Sequence, residues 1–221
     1  DSDVTEYPKN EKEVLNFIKK FYKSGIPIEL VGSGSKSKMG KPLQCSKTLN
    51  LSKLNGIIEY LPEELYIKVQ ACASIKQIQE ELKKNNQQLA FEPIDFGYLL
   101  NGKSNYGTAA GCIACNISGP RRFKAGSVRD HVLGFRGVNG KGEIIKSGGT
   151  VVKNVTGYDL SKLICGSYGT LVALTEITLK VLPAAESGKT LIIHNQRIES
   201  ATHFLDKAIS SSNDISGATF L

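Results

Sequence analysis

A short apolar run that ends in a glycine-serine turn limits the fold of this chain more than any other feature. Ile28-Glu29-Leu30-Val31 reads as a buried strand and passes directly into Gly32-Ser33-Gly34-Ser35-Lys36-Ser37. A strand that ends this way can aim successive backbone N–H groups at one point, and glycines let a phosphate approach the backbone. On composition alone the same turn also fits an ordinary flexible loop. Two standard phosphate loops do not match it. The third glycine of the dinucleotide fingerprint is missing, and no Asp or Glu follows about 20 residues on to hold a ribose. Gly40-Lys41 leads into Pro42 rather than Ser or Thr, so it is no Walker loop.

Charge is concentrated around that turn. The 221 residues carry 28 Lys and Arg against 21 Asp and Glu, a formal net charge of +7. Between Glu29 and Glu59 there is no acid but Lys36, Lys38, Lys41, Lys47 and Lys53. Between Asp95 and Asp130 there is again none, with Lys103, Arg121, Arg122, Lys124 and Arg129. These two windows hold more positive charge than the whole chain nets, and both are rich in small residues. The second contains Thr108-Ala109-Ala110-Gly111 and Ser118-Gly119-Pro120-Arg121-Arg122. Small residues leading to a glycine fit a flat ligand lying on the backbone, or equally a tightly packed helix. Basic charge of this size can serve nucleic acid, an acidic membrane or solubility alone. Aromatic platforms in the windows are limited to Tyr98, Tyr106 and Phe123, which argues against nucleic acid.

Periodicity sketches the rest. Residues 11–23 read as a helix with Val14, Ile18 and Phe21 on one stripe and Leu15 and Tyr22 beside it. Strands are expected at 48–51 and along Leu65, Ile67 and Val69. Ser74-Ile75-Lys76-Gln77 is a capping box that opens a helix carrying Ile75, Ile78 and Leu82. Residues 91–106 read as a long functional loop, and 108–117 as a short helix. A hairpin is expected over 132–146, a short helix at 160–164 and a long strand over 171–182. Pro183-Ala184-Ala185 reads as a boundary, followed by a strand at Thr190–His194, a helix carrying Ala201, Phe204, Leu205 and Ala208, and another strand at 218–221.

No metal or catalytic constellation stands out. The five cysteines are an odd, scattered set, which fits a reducing compartment. Cys112-Ile113-Ala114-Cys115 has no second pair to complete a zinc site and reads as buried and structural. His131, His194 and His203 stand apart, and His131 beside Asp130 reads as a structural pair. No apolar run approaches the ~20 residues of a membrane-spanning helix. The start Asp1-Ser2-Asp3 is unlike a signal peptide, so an intracellular protein is expected. The only methionine is Met39, and the chain is expected to be a trimmed or processed piece.

Several phrases occur in one order along the chain. They are Val31-Gly32-Ser33-Gly34-Ser35-Lys36-Ser37, Leu89-Ala90-Phe91-Glu92-Pro93, Ser118-Gly119-Pro120-Arg121-Arg122 and Gly126-Ser127-Val128-Arg129-Asp130-His131-Val132-Leu133-Gly134. After them come Lys153-Asn154-Val155-Thr156-Gly157-Tyr158-Asp159-Leu160, Gly166-Ser167-Tyr168-Gly169-Thr170-Leu171 and Leu174-Thr175-Glu176. Together they resemble the FAD-linked oxidase family with a PCMH-type, vanillyl-alcohol-oxidase-like FAD domain. Within that family the chain is similar to the FAD-binding subunits of bacterial glycolate oxidase (glycolate dehydrogenase) complexes.

The resemblance implies an α+β fold. Residues 1–183 would form the FAD domain, as subdomains of about 1–86 and 87–183 that grip FAD, and 184–221 the incomplete start of an α+β cap domain. Gly32, Ser33, Gly34, Ser35, Lys36 and Ser37 match the family's pyrophosphate loop. Pro93, Thr108, Gly111, Cys115, Ser118 and Gly119 match its second FAD-contacting stretch, while Arg129, Gly157 and Tyr158 fall in later motifs. Covalent members carry a His in the first loop; none is present here, so FAD is expected to be non-covalent. Ala109-Ala110-Gly111 replaces the usual Ile-Gly-Gly, which places a methyl where the family has bare backbone.

The implied activity is oxidation of glycolate, a 2-hydroxy acid, to glyoxylate. Electrons would pass through a partner flavin-containing catalytic subunit and an iron–sulfur subunit. The implied location is cytoplasmic, with peripheral association at the inner face of the membrane through those partners. No catalytic residue and no metal ligand is assigned. In related hydroxy-acid dehydrogenases the base lies in the cap. A non-catalytic structural subunit with a weakened FAD site is the alternative.

Overall fold

The computed structural model describes residues 4–41, 43–101, 104, 107–149, 158–194 and 196–220. It opens with β1 (Val4–Glu6), α1 (Glu11–Lys23), β2 (Ile28–Val31) and β3 (Lys47–Asn50). The Asn10 side chain caps α1 by accepting from Glu13 N at 3.0 Å, and acids in the first turn and lysines in the last suit the helix dipole. Its apolar stripe buries Val14, Phe17, Ile18 and Phe21, whereas Tyr22 is exposed. The three strands form a parallel sheet in the order β1-β3-β2.

The chain continues through β4 (Ile57–Leu61), β5 (Tyr66–Gln70), α2 (Ile75–Lys83), β6 (Gln87–Gln88), α3 (Gly97–Asn101), α4 (Ala109–Ala114) and α5 (Arg122–Ala125). It is completed by β7 (Val132–Asn139), β8 (Ile144–Gly148), α6 (Leu160–Ile164), β9 (Val172–Lys180), β10 (Leu182–Pro183) and α7 (Ile198–Ile209). Five strands form an antiparallel sheet in the order β4-β5-β9-β7-β8, and β6 pairs with β10. The fold is α+β, as expected. The main core lies on the five-stranded sheet, with Ile67, Val69, Ile177 and Leu179 meeting Ile78 and Leu82 of α2 and Cys112 and Ile113 of α4.

The two sheets divide the chain near residue 55 rather than near residue 86. β4 and β5 belong to the second sheet because β5 pairs along its length with β9, about a hundred residues later. Local periodicity carries no trace of such a pairing. α1 holds the sheets together: its stripe packs with Leu49, Leu51 and Leu54 on one side and with Val138 and Ala173 of the large sheet on the other. Arg136 on β7 donates through Nε to both Glu11 carboxylate oxygens, at 2.8 and 2.9 Å. The Thr175 hydroxyl on β9 lies 2.8 Å from the same carboxylate.

Other expectations change. Residues 91–106 are not all loop: α3 forms where the Asp95 carboxylate accepts from Gly97 N at 2.9 Å. β1 and β4 had no sequence signal, the first being three residues long and the second bulged between Ile57 and Glu59. The strands expected at Thr190–His194 and 218–220 do not form. Among the described residues nothing pairs with them, and a lone strand leaves its backbone groups to water. Leu191 and Ile192 are accordingly 85% and 68% exposed. α7 forms where a helix was expected.

Glu11→Gln removes the charge from the link between α1 and the large sheet while keeping its shape. The link is partly exposed, so the expected loss is about 1–2 kcal/mol of unfolding free energy, measured by urea denaturation. An unchanged midpoint and slope would show that the ion pair contributes nothing.

Candidate functional site

The glycine-serine loop lies where the two acid-free windows meet. Gly34 has φ +75°, a left-handed conformation that favours glycine. Its carbonyl accepts from Ser37 N at 3.2 Å, which closes the turn. Ser35 is buried, Ser37 is exposed and Lys36 lies between. Thr108 reaches the loop from the second window. It bridges Ser74, and its hydroxyl caps α4 by accepting from Gly111 N at 3.2 Å.

Two missing side chains allow this approach. A Cβ on Gly32 would lie 3.2 Å from Cys72 Sγ and 3.3 Å from Thr108 Oγ1. A Cβ on Gly111 would lie 2.9 Å from Thr108 Oγ1 and 3.3 Å from Lys36 Nζ. Beside this junction is a cleft of about 410 Å³ lined by Ser33, Ser52, Asn55, Cys72, Ser74, Gln77, Gly107 and Thr108. It presents hydroxyls and amides and no carboxylate. Ser33 and Thr108 were expected from sequence. Ser52, Asn55, Cys72, Ser74 and Gln77 were not, although Ser74 was legible as a helix cap, and it caps α2 by accepting from Gln77 N.

The remaining expected residues fall into two groups. Gly119 and Arg121 form a second cluster held by Glu92, which precedes Pro93 in sequence and lies in the left-handed region at φ +55°. The Glu92 carboxylate accepts from Arg121 N at 3.1 Å and lies 3.6 Å from Arg121 Nε. Gly119 N donates to Phe91 O, and a Cβ on Gly119 would come within 2.8 Å of Glu92 O. Gly119 is thus required for protein packing. Ser118 Oγ accepts from Val128 N at 2.8 Å. Arg129 is exposed, with its charge acting on Asp130, Asp159 and Cys165. Tyr158 is 93% exposed and lines neither cleft nor cluster. Gly157 lies outside the described residues.

Ala109 and Ala110 donate their N–H groups to Ala73 O and Ala71 O, at 3.0 and 2.8 Å. Ala109 belongs to the main core, and the methyl of Ala110 packs against it. The cysteines are free, and burial pushes the thiols of Cys72, Cys112 and Cys165 up to about 12. Burial also raises the Cys115 thiol, with the Lys36 charge opposing. These are inert thiols, in accord with a structural reading. Among the described residues no cluster suits a metal ion.

Asp130 and His131 do not form a hydrogen-bonded pair. Asp130 accepts from Ser127 N and Oγ, which holds its carboxyl below the usual range. His131 is 2% exposed, its Nε2 faces Ala125 O at 2.8 Å, and its Nδ1 is buried with no partner among the described residues.

Comparison with known proteins gives the family of the chain. A family described as "FAD binding domain" matches residues 2–148, more than half of the chain. The chain belongs to that family, the PCMH-type FAD-binding domains, and FAD is its cofactor. Among curated relatives, "Glycolate oxidase subunit GlcE" of Escherichia coli (strain K12) is 41% identical over 165 residues, covering 75% of this chain and 45% of that protein. "Glycolate oxidase subunit GlcD" of Bacillus subtilis (strain 168) is 31% identical over 211 residues, covering 95% of this chain and 43% of that protein. The "D-lactate dehydrogenase" of Anaerostipes hadrus is 37% identical over 151 residues, covering 68% and 30%. The chain therefore spans less than half the length of these relatives. Alkyldihydroxyacetonephosphate synthase shares the fold, with a TM-score of 0.65 at 20% identity over 84% of this chain and 32% of that one.

The residues present suit FAD. The loop and α4 meet without a carboxylate, Gly34 holds the turn conformation, and hydroxyls and one ammonium converge at the junction.

Burial holds the His131 imidazole below its ordinary 6.5, so the folded protein binds this proton less readily than the unfolded chain. Stability is then retained above about 6.5 and falls as pH drops from there toward the lower folded-state value. Asp130, with its lowered pKa, acts only below 3.8. The melting temperature should fall between pH ~7 and ~5, and fall less in His131→Gln, which keeps a donor for Ala125 O. An equal fall in both proteins would contradict the assignment.

Proposed function

We propose that the chain is the FAD-binding portion of an FAD-dependent oxidoreductase acting on 2-hydroxy acids, and that the whole protein is the FAD-binding subunit of a glycolate oxidase or dehydrogenase complex. The observation that carries this reading is the meeting of the Gly32–Ser37 loop with Thr108 and Gly111, residues far apart in sequence and both matched to FAD-contacting stretches. The similarity to GlcE supports the choice of glycolate, and the GlcD and D-lactate dehydrogenase relatives support the broader substrate class.

In this reading Gly32 and Gly34 shape the loop, Ser33, Ser35, Lys36 and Ser37 supply donors, and Thr108 and Gly111 close the second side. Pro93, Cys115, Ser118 and Gly119 complete the second stretch, with Arg129, Gly157 and Tyr158 in outer positions. Bound FAD supplies a hydride acceptor for C2 of the hydroxy acid. No histidine is present in residues 32–37, so FAD is held without a covalent bond. No base for the hydroxyl proton is assigned to these residues. The working assembly includes a flavin-containing catalytic subunit and an iron–sulfur subunit on the cytoplasmic face of the membrane. No helix among the described residues is long and apolar enough to cross a membrane.

The test is glycolate-dependent dye reduction by the full-length subunit, alone and with its partners, together with flavin titration. FAD binding with activity restored in the complex is expected. Gly34→Ala places a side chain in a left-handed conformation, at about 1–2 kcal/mol, and should weaken FAD about fivefold or more. A full-length protein that neither carries nor takes up FAD, in a complex fully active without it, would contradict the reading and leave a structural subunit.

A further inference from the structure

A second cleft, of about 280 Å³, is lined by Gln79, Gln87, Gln88, Leu89, Glu92 and Arg121 and shares no lining residue with the cleft beside the glycine-serine loop. Two of its glutamines are committed to the fold. Gln87 accepts from the Tyr60 hydroxyl at 2.7 Å and donates to Pro62 O at 2.8 Å, and Gln88 donates to Pro183 O at 3.1 Å. Gln88 Oε1 also accepts from Arg121 Nη1 at 3.2 Å, so the guanidinium is held by a side chain that is itself anchored. Glu92 does not close on that guanidinium. One of its oxygens accepts from Arg121 N at 3.1 Å, and the other lies 3.6 Å from Nε, beyond the ~2.7–2.9 Å of a charge-assisted hydrogen bond. Among the described residues the contact with Gln88 is the one hydrogen bond the guanidinium makes, which leaves most of its N–H donors uncommitted. An arginine that served Glu92 alone would pair with both carboxylate oxygens. This one is turned to Gln88 and keeps its fork unpaired in a cleft.

We propose that this cleft is a binding site for a small monocarboxylate, with the Arg121 guanidinium as its anchor. A planar fork of N–H donors matches the two oxygens of a carboxylate, and Gln88 fixes the orientation of the fork. Leu89, 4% exposed, supplies an apolar wall. The Gln79 amide has no partner among the described residues and offers a donor and an acceptor to a hydroxyl or oxo group beside the carboxylate. The volume suits an acid of a few carbons and falls below the range of sites for drug-sized ligands. The Glu92 charge stands against a second carboxylate on the ligand. None of the lining residues is assigned to FAD, so the site does not depend on the cofactor reading. Only the choice of glycolate as the probe rests on the function proposed above.

The experiment follows hydrogen exchange of the full-length protein at 87–92 and 119–122 while glycolate, its neutral isostere glycolamide and the dicarboxylate malonate are titrated at low salt. Wild type, Arg121→Met and Arg121→Lys are compared, circular dichroism confirms that each is folded, and FAD is titrated in parallel. Glycolate should slow exchange at both segments in wild type, and glycolamide and malonate should do so only at much higher concentration. Loss of the charge-assisted contact in Arg121→Met should raise the glycolate concentration for half-protection about tenfold or more. Arg121→Lys keeps the charge without the fork and should fall between the two, with FAD affinity unchanged in all three. The proposal is overturned if glycolate leaves exchange at these segments unchanged in wild type, even while binding elsewhere. It is equally overturned if glycolamide protects as well as glycolate, or if Arg121→Met is protected at the wild-type concentration. Uptake of FAD alongside such a result leaves the FAD reading intact; protection by glycolate in a protein that takes up no FAD contradicts that reading alone.

Discussion

The candidate site depends on the close approach of two pieces of backbone that lie more than seventy residues apart. Gly32 and Gly111 each present a bare Cα to Thr108, and Thr108 fills the space between them. A Cβ at Gly32 would press on Cys72 and Thr108, and one at Gly111 on the Thr108 hydroxyl that caps its own helix, so either would crowd the junction beside Ser33 and Ser74. Hydrogen bonds then fix the arrangement. Thr108 caps α4, Ser74 caps α2, and Ala109 and Ala110 donate to the strand extension at Ala71 and Ala73. The glycine-serine loop is thus seated on the large sheet through α4, although it emerges from the small sheet.

This seating explains why α1 matters to a site it does not line. The loop leaves β2, which belongs to the small parallel sheet, while α4 belongs to the core of the large one. α1 is packed against both, and the Glu11–Arg136 pair ties its first turn to β7. A shift between the sheets would carry the loop away from Thr108. Glu92 plays a comparable part for the second cluster, clipping the turn at Gly119 and Arg121 in place.

Local features were legible in the sequence. The stripe of α1, the cap at Ser74, the hairpin of β7 and β8 and the strand–turn at 28–37 all depend on neighbours within a few residues, and they form where expected. The division between the sheets was not legible, because it is set by pairing of β5 with β9. The terminal strands failed for the opposite reason: their residues favour extension, but among the described residues no partner strand pairs with them. At the candidate site, the turn itself was legible because glycine and serine have local meaning after a short apolar strand. The reach of Lys36 to Gly111 and the cleft positions Ser52, Asn55 and Gln77 were not, since nothing in a single sequence tells which distant segments will touch. The alanine pair also changes meaning in three dimensions, for the methyl of Ala110 packs against the core.

Hydrogen exchange of the full-length protein with and without FAD tests the central claim most directly. The account predicts that FAD slows exchange at 32–37 and at 107–111 together, because one ligand holds both segments. Protection confined to other parts of the chain, or none at either segment under saturating FAD, would contradict it.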